Sequence, residues 1–216
     1  MPLRILVVDD HAVVRRGVRT LLESREGWEV CGEATTGRDA VEQSRRLRPD
    51  VVVMDLSLPE LNGLDATRQV LKDGPGIEVL VLTMHRSEEL ARDVLQAGAR
   101  GYVLKSDASE NLITAVDSLL QHRPFLTSTV AEFVLDDYVR RGDTVQADLA
   151  PAGVTARERE IIQLIAEGRS NKEAAATLGV SVKTIEAHRA NIMRKLHLRT
   201  VSDLVRYALR NNIVQL

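Results

Sequence analysis

The sequence has few or none of several features, and each shortage excludes a class of protein. Among 216 residues there is one cysteine, Cys31, so no internal disulfide can form and no cysteine-rich metal site is available. Uninterrupted apolar runs, such as residues 51–54 and 79–82, are far shorter than the roughly 20 residues of a membrane-spanning helix. The first ten residues lack the long apolar run and small-residue cleavage site of a secretory signal peptide. These absences predict a cytoplasmic protein with no membrane partner, and Cys31 is expected to be a small buried apolar residue.

Composition and length favour a globular protein with two domains. Apolar residues make up 44% of the chain and charged residues 28%, which is ordinary for globular proteins and excludes a disordered or collagen-like chain. The 216 residues exceed the roughly 100 to 150 residues that are typical of a single domain. We therefore expect two domains of unequal size.

The net charge of −2 hides a strong asymmetry along the chain. Residues 1–124 hold 16 Lys and Arg against 20 Asp and Glu, and residues 125–150 hold 2 against 5. Residues 151–216 reverse the balance, with 11 basic against 6 acidic side chains. A compact basic segment attached to an acidic body is typical of a nucleic-acid-binding module joined to a domain with another task.

The first 120 residues alternate short apolar runs with stretches of helical period, which is the pattern of repeated βαβ units. Because the apolar runs are continuous and not alternating, we expect a five-stranded parallel sheet buried on both faces, in a doubly wound α/β domain over residues 1–123. In such sheets, functional residues gather at the carboxyl ends of the strands. The predicted strands are residues 3–8, 30–33, 51–54, 79–82 and 101–104.

From Pro124 onward the pattern contains no strands. Residues 124–153 are predicted to be a linker that includes a helix over Thr129–Arg140, and residues 154–216 a small all-α domain. Thr155 and Glu158 form the sequence signature of a capping box at the start of its first helix, which Gly168 ends.

The middle of this small domain has the pattern of a helix-turn-helix. A helix over residues 171–178 is followed by a turn at Gly179 and by a longer helix over residues 182–196, with Ser181 as its N-cap. A fourth helix is predicted over residues 201–211.

Polar side chains follow four of the predicted strands at the point where each strand ends. These side chains are Asp9 and Asp10, Asp55, Thr83 and Lys105. Since parallel strands present their carboxyl ends at one edge of the sheet, we expect the five side chains to lie close together. Each close pair of carboxylates repels by about 4 kcal/mol at an effective dielectric constant near 20, so the cluster needs a counter-charge. Mg²⁺ with oxygen ligands, helped by the Lys105 ammonium, is the expected one.

A simple Mg²⁺ site needs neither a lysine nor a hydroxyl group, whereas a phosphoryl acceptor uses both. If Asp55 is the nucleophile, the oxygens of the resulting aspartyl phosphate would be held by the metal, by the Lys105 ammonium and by the Thr83 hydroxyl. We therefore expect Asp55 to accept a phosphoryl group.

The same residues resemble a known family. Asp9-Asp10, the stretch DLSLPELNG over residues 55–63, Thr83 and GYVLKS over residues 101–106 are similar to the receiver domain of two-component response regulators. The resemblance covers residues 3–121.

This resemblance implies a role for each residue of the pocket. Asp55 would be the phosphorylation site, Asp10 a direct Mg²⁺ ligand assisted by Asp9, and the backbone carbonyl of Ser57 a further ligand. Thr83 and Tyr102 would be a switch pair, in which the hydroxyl swings toward the new phosphoryl group and the aromatic ring enters the space that it leaves.

The carboxyl-terminal domain resembles a LuxR-type helix-turn-helix of the NarL/FixJ class, through VTARERE and LIAEGRSNKEAAATLGVSVKTIEAHRANIMRKL. A helical wheel of residues 182–196 places Ile185, His188, Ile192 and Leu196 on a stripe that faces the core. The opposite face is available to a DNA major groove. The predicted DNA-binding residues, which include base-reading and phosphate-contacting candidates, are Lys172, Lys183, Thr184, Glu186, Ala187, Arg189, Ala190, Arg194 and Lys195, with Arg199 as a further phosphate contact.

Together these features predict a DNA-binding transcription regulator, and not an enzyme. A sensor histidine kinase would phosphorylate Asp55, and phosphorylation would shift domain packing and favour a homodimer that binds paired half-sites in double-stranded promoter DNA. Two alternatives stay open. The receiver could serve only dimerisation in a phosphorylation-independent regulator. The chain could also be a haloacid-dehalogenase-like phosphatase, although such an enzyme should carry a second acid at position 57, where this chain has Ser57.

Overall fold

The computed structural model describes residues 2–127, 131 and 154–214. They belong to two compact units, each of which is considered by itself below. The predicted helix Thr129–Arg140 lies, apart from residue 131, outside the described residues. In the part of the chain that is described, no helix is both long and apolar enough to cross a membrane.

The first unit is a parallel sheet with helices on its faces. The strand order is β2-β1-β3-β4-β5-β6, and every neighbouring pair is parallel. The strands are β1 (Leu3–Val8), β2 (Trp28–Ala34), β3 (Val51–Met54), β4 (Glu78–Thr83), β5 (Gly101–Leu104) and β6 (Phe125–Leu126). The helices are α1 (Ala12–Glu23), α2 (Gly37–Leu47), α3 (Gly63–Asp73), α4 (Glu88–Gln96) and α5 (Ala108–Leu120), and a 3₁₀ turn over Lys105–Asp107 precedes α5.

The fold class is the one predicted, with one difference in the number of strands. The sequence predicts five strands, and the structure has a sixth, β6, beside β5. After α5 the chain reverses at His122, which has a left-handed φ of 54°, and the Phe125 N–H then donates to the Arg100 carbonyl at 2.9 Å. Because β6 has only two residues, it produces no apolar run that a sequence pattern could reveal.

The core of the first unit explains why its strands are continuously apolar. All four residues of β3 and of β5 are buried, as are the last four of β1. Leu22 of α1 and Leu119 of α5 pack in one cluster with side chains from β1, β3, β4 and β5. Helix α2 packs against the strands β1 and β2 and against the neighbouring helix α3. A sheet that is covered in this way leaves its strand ends as the place where polar side chains can gather.

The described residues of the second unit form four short helices, each started by a side-chain cap. They are α6 (Ala156–Ala166), α7 (Asn171–Leu178), α8 (Val182–Lys195) and α9 (Val201–Arg210). The predicted capping box of Thr155 and Glu158 is present, and the predicted N-cap Ser181 accepts from the Thr184 N–H. Gly179 ends α7 with a left-handed φ of 63°, which gives the tight turn of the helix-turn-helix.

A separate apolar cluster holds these four helices together. Its buried side chains include Ile161 of α6, Ala174 of α7, Ile185 and Ile192 of α8, and Leu204 of α9. Of the four residues that the sequence placed on the core stripe of α8, Ile185 and Ile192 are buried, while His188 and Leu196 are half-buried. The outer face of α8 is therefore left to polar and small side chains.

Candidate functional site

The first candidate site lies where β1, β3, β4 and β5 end. Val8 is paired with Met54 and Thr83 with Leu104, so the residues that follow these strands are neighbours in space. Asp9 and Asp55 each follow the last residue of a strand, as Lys105 does. The sheet thus brings together side chains that are up to 96 positions apart in the chain.

Lys105 connects the two buried carboxylates of this acidic pocket. Its Nζ donates to Asp55 Oδ2 at 2.8 Å and lies 2.7 Å from Asp9 Oδ2. The exposed fractions of the three side chains are 8% for Lys105, 3% for Asp9 and 2% for Asp55. Charges this well shielded from water interact strongly, so both carboxylates depend on Lys105 and Lys105 depends on them.

Burial and pairing act in opposite directions on the charges of the pocket. Burial raises the pKa of Asp55 above its usual value, and the hydrogen bond from Lys105 lowers it only in part. Burial lowers the pKa of Lys105, but hydrogen bonds to Asp55 and Asp9 and their charges outweigh this effect, so that the pKa is raised overall. Lys105 is therefore held as a cation beside a carboxylate that is incompletely compensated.

Asp10 and His11 form the exposed side of the pocket. The side chain of Asp10 is 36% exposed and that of His11 66%, and His11 Nδ1 lies 2.6 Å from Asp10 Oδ1. One ligand atom from each of Asp9, Asp10, His11 and Asp55 can be chosen so that all four lie within 4.8 Å of one another. Three of these atoms are carboxylate oxygens, the donors that Mg²⁺ prefers, so the residues present fit the predicted ion.

The other predicted residues of the pocket have different partners. The side chain of Ser57 lies with Oγ 3.2 Å from His85 Nε2. Thr83 is fully buried, and its hydroxyl accepts from the His85 N–H at 3.2 Å. Tyr102 is fully buried as well, and its hydroxyl donates to the His85 carbonyl at 2.8 Å. Burial raises the pKa of Tyr102 to about 12. The backbone of His85 therefore connects the two residues of the predicted switch pair.

Several residues that shape the pocket escaped the sequence reasoning. Arg15 donates from Nη1 to the Asp9 carbonyl at 2.8 Å and from Nε to Glu33 at 2.9 Å, which ties the loop after β1 to β2. A Cβ on Gly63 would lie 1.8 Å from the Asp55 carbonyl oxygen, so only glycine fits there. The adjacency of His11 to Asp10 is visible in the sequence, whereas no sequence signal reveals the contacts of Arg15.

The second candidate site is the outer face of α8 with its neighbouring basic residues. The exposed members of the predicted DNA-binding set are Lys172, Lys183, Glu186, Ala187, Ala190, Arg194 and Lys195, while Thr184 and Arg189 are half-buried.

Some of these side chains already have partners within the second unit. Lys195 donates from Nζ to Glu158 Oε2 at 2.8 Å, and Arg194 donates to Asn191 at 2.8 Å. The hydrogen bond from Lys195 lowers the pKa of Glu158. The surface is thus basic and open, but its cations are not all free to meet a ligand without exchanging a partner.

The fold and the pocket define a class of protein, a receiver domain joined to a helix-turn-helix module. Residues 5–117 match the model of the response regulator receiver domain, and residues 152–208 match that of the bacterial regulatory proteins of the luxR family. The chain belongs to the LuxR-family response regulators, which are transcription regulators.

Relatives of similar length are known. The chain is 38% identical to the oxygen regulatory protein NreC of Staphylococcus epidermidis, over 99% of this chain and all of that protein. It is 35% identical to the transcriptional regulatory protein MctR of Rhizobium johnstonii, over 98% of this chain and 95% of that one.

Solved structures agree with this assignment. A LuxR-family response regulator from Aurantimonas is 37% identical with a TM-score of 0.61, and the match covers 64% of this chain and 99% of that one. RcsB from Salmonella enterica serovar Typhimurium, solved bound to a promoter with the phosphomimetic BeF₃⁻, is 26% identical with a TM-score of 0.62, and the match covers 99% of this chain and all of that one.

Proposed function

We propose that this regulator is switched by transfer of a phosphoryl group from a sensor histidine kinase to Asp55. The observation that carries the proposal is the placement of Lys105 Nζ within 2.8 Å of both Asp55 and Asp9 at the carboxyl edge of the sheet. An Asp55 carboxylate oxygen would attack the phosphorus atom, and the bond to the leaving group of the donor would break.

The residues of the pocket divide the remaining tasks among them. Asp10, Asp9 and the Ser57 carbonyl, together with Asp55, would hold Mg²⁺, which when bound supplies positive charge beside the transferring phosphoryl oxygens. Lys105, which is almost completely buried, supplies a second positive charge beside Asp55. Once Asp55 is phosphorylated, the Thr83 hydroxyl would turn to the phosphoryl group and lose its hydrogen bond from the His85 N–H. The Tyr102 hydroxyl, which donates to the carbonyl of the same residue, is thereby connected to the movement of Thr83.

We propose further that the second unit binds double-stranded DNA as part of a homodimer on paired half-sites. The open face of α8 fits a major groove, where Lys183 and Glu186 can read base edges and Ala187 and Ala190 can touch thymine methyl groups. RcsB, a relative of similar length, has been solved bound to promoter DNA. Phosphorylation would then shift a pre-existing equilibrium of domain packing and dimerisation toward the DNA-binding form, in the cytoplasm.

The domain bounds are part of the same proposal. We assign residues 1–123 to the receiver, 124–153 to the linker and 154–216 to the DNA-binding domain.

Phosphorylation of Asp55 is tested by mass spectrometry of the intact chain. Incubation with Mg²⁺ and a small phosphodonor should add one phosphoryl group to the wild-type chain and none to Asp55→Ala. Asp117→Ala serves as the matched control, because Asp117 is a partly exposed aspartate of α5 paired with Arg25 at 3.2 Å, away from the pocket. Rapid release of free phosphate by the wild-type chain with repeated turnover would contradict the switch and favour a phosphatase.

DNA binding is tested by selection from a randomised duplex library with and without phosphodonor. We expect enrichment of paired half-sites, stronger with phosphodonor for the wild-type chain and unaffected by it for Asp55→Ala. Equal enrichment under all conditions would favour the phosphorylation-independent regulator.

A further inference from the structure

His11 brings a nitrogen ligand to a pocket that otherwise offers oxygen. It lies between β1 and α1, directly after the two acidic residues, and its backbone N–H donates to Asp9 Oδ1 at 2.8 Å. This hydrogen bond fixes the backbone of His11 against the pocket. The imidazole is therefore held beside the carboxylates by this hydrogen bond as well as by its adjacency to Asp10 in the sequence.

The ring nitrogen lies where an ion held by the acidic residues would find it. His11 Nδ1 is 2.6 Å from Asp10 Oδ1 and 3.4 Å from Asp9 Oδ1. Ligand atoms bound to one Zn²⁺ ion at about 2.1 Å are separated by about 3.4 Å in tetrahedral geometry. The four ligand atoms of the pocket lie within 4.8 Å of one another, a limit that is larger than the tetrahedral spacing. A small inward movement of these side chains would therefore let all four atoms bind one ion.

The exposure of the four side chains separates two halves of the ligand set. Asp9 and Asp55 are buried and already share the Lys105 ammonium, whereas Asp10 and His11 face water. A cation that enters from solvent therefore meets one carboxylate and one imidazole first. The entrance to the pocket is of mixed oxygen and nitrogen character.

We propose that His11 Nδ1 is a metal ligand that gives the pocket affinity for borderline divalent cations of the Zn²⁺ type, in addition to Mg²⁺. Imidazole suits Zn²⁺, Ni²⁺ and Cu²⁺, while Mg²⁺ prefers oxygen ligands and dehydrates reluctantly. Ligation through Nδ1 uses the tautomer that carries its proton on Nε2, and the ion takes the place of the contact between Nδ1 and Asp10. His11 thus sets the relative affinity of the pocket for Zn²⁺-type ions and Mg²⁺. A Zn²⁺-type ion would then compete with Mg²⁺ for the site that phosphorylation needs. The inference rests on the metal site of the proposed function.

The test is a comparison of metal selectivity between the wild-type chain and His11→Ala by titration calorimetry with Mg²⁺ and with Zn²⁺. We expect the ratio of Zn²⁺ affinity to Mg²⁺ affinity to fall by at least about tenfold, since losing even an outer-shell partner of a metal ligand costs 10- to 100-fold. The nitrogen NMR signal of His11 Nδ1 should also shift when Zn²⁺ is added to the wild-type chain. His122→Ala is the matched control, because His122 lies with Nδ1 2.9 Å from Glu78, an imidazole and carboxylate pair away from the acidic pocket.

Two results would overturn the inference. An unchanged affinity ratio in His11→Ala would show that the imidazole does not ligate the ion, and an equal loss of both affinities would make His11 a general support of the pocket. Neither result affects the proposed function, which fails instead if the wild-type chain binds no Mg²⁺ and accepts no phosphoryl group.

Discussion

The two candidate sites hold their charges in opposite ways. In the acidic pocket, Lys105, Asp9 and Asp55 are almost completely buried, and Lys105 contacts both carboxylates. On the second unit, the basic residues around α8 are mostly exposed, and the ion pair between Lys195 and Glu158 lies near the surface. Buried charges depend strongly on their partners, while exposed charges are weakened by water and salt. The pocket is therefore suited to chemistry at one atom, and the helix surface to a sum of many small contacts with a polyanion.

The largest expected difference between the two sites is the effect of removing one lysine from each. Lys105→Met leaves two buried carboxylates without their cation and should reduce the free energy of unfolding of the first unit by about 3 to 5 kcal/mol. Lys195→Met removes an exposed partner and should cost the second unit at most about 1 kcal/mol. Urea unfolding followed by Trp28, the only tryptophan, reports on the first unit, and amide hydrogen exchange of α6 to α9 reports on the second.

The lysine experiment has an internal control. Adding Mg²⁺ should recover part of the loss in Lys105→Met, because the ion supplies the missing positive charge. Losses of equal size in the two variants would contradict the contrast between buried and exposed charges.

A glycine in each unit gives the second comparison. Gly63→Ala would place a Cβ 1.8 Å from the Asp55 carbonyl oxygen and 2.8 Å from Leu56 Cα, both backbone atoms, and should cost about 3 kcal/mol. Gly179→Ala meets no atom within 4 Å and carries only the left-handed backbone conformation, so about 1 kcal/mol is expected. The same two unfolding measurements distinguish them. If Gly179→Ala loses as much free energy of unfolding as Gly63→Ala, the backbone conformation of the glycine, and not close packing on Asp55, determines the cost of the substitution.

The third prediction concerns Arg15, which positions Asp9 through its backbone carbonyl. Arg15→Ala should weaken Mg²⁺ binding by about tenfold, because partners of metal ligands hold those ligands in place. Arg16→Ala is the matched control, since Arg16 is the next residue of the same helix and is exposed. Calorimetric Mg²⁺ titrations give both values, and similar affinities for the two variants would remove Arg15 from the support of the pocket.

The smallest effect is expected at the capping box of α6. The hydrogen bond from Lys195 is the largest cause that lowers the pKa of Glu158 below its ordinary value of 4.5, followed by the opposing effect of burial. A group whose folded pKa is lowered stabilises the fold above its unfolded pKa and loses that contribution as the pH falls through the folded pKa. The stability of α6, measured by amide exchange corrected for intrinsic rates, should therefore decline as the pH falls below about 4.5.

Two variants check the origin of that decline. Glu158→Gln should flatten it, because glutamine does not titrate, and Lys195→Ala should move it to higher pH. An identical decline in wild type and Glu158→Gln would assign it to other carboxylates, such as Asp203, whose pKa is also lowered, first by Arg206.

Much of the fold could be predicted because its signals are local. The bounds of β1, β3, β5 and α7 coincide with the predicted ones, since each strand is a short apolar run bounded by polar residues, and α7 lies between Ser170 and Gly179. The capping box at Thr155 was visible because its two partners are three residues apart. β6 was missed because two residues carry no pattern and its pairing depends on the distant Arg100 carbonyl.

The candidate site could be predicted only to the level of which residues gather. The carboxyl ends of parallel strands lie at one edge of the sheet, and this topology was enough to predict that Asp9, Asp55 and Lys105 lie close together. It could not reveal that Thr83 and Tyr102 meet at the backbone of His85, because this depends on how the loop after β4 folds back.

The sequence by itself determined the order of β1 to β5 and of the helices along the chain, the caps at Thr155 and Ser181, and the charge contrast between the units, because these follow from side-chain type and short spacing. Only the tertiary structure decided that Lys105 contacts two carboxylates, that Arg15 holds the Asp9 carbonyl and that Lys195 pairs with Glu158. The physical reason is that the two lysines contact residues 37 or more positions away in the chain. All of these contacts, including the one between Arg15 and Asp9 six positions away, also depend on how far each side chain reaches and how much water the folded chain excludes around it.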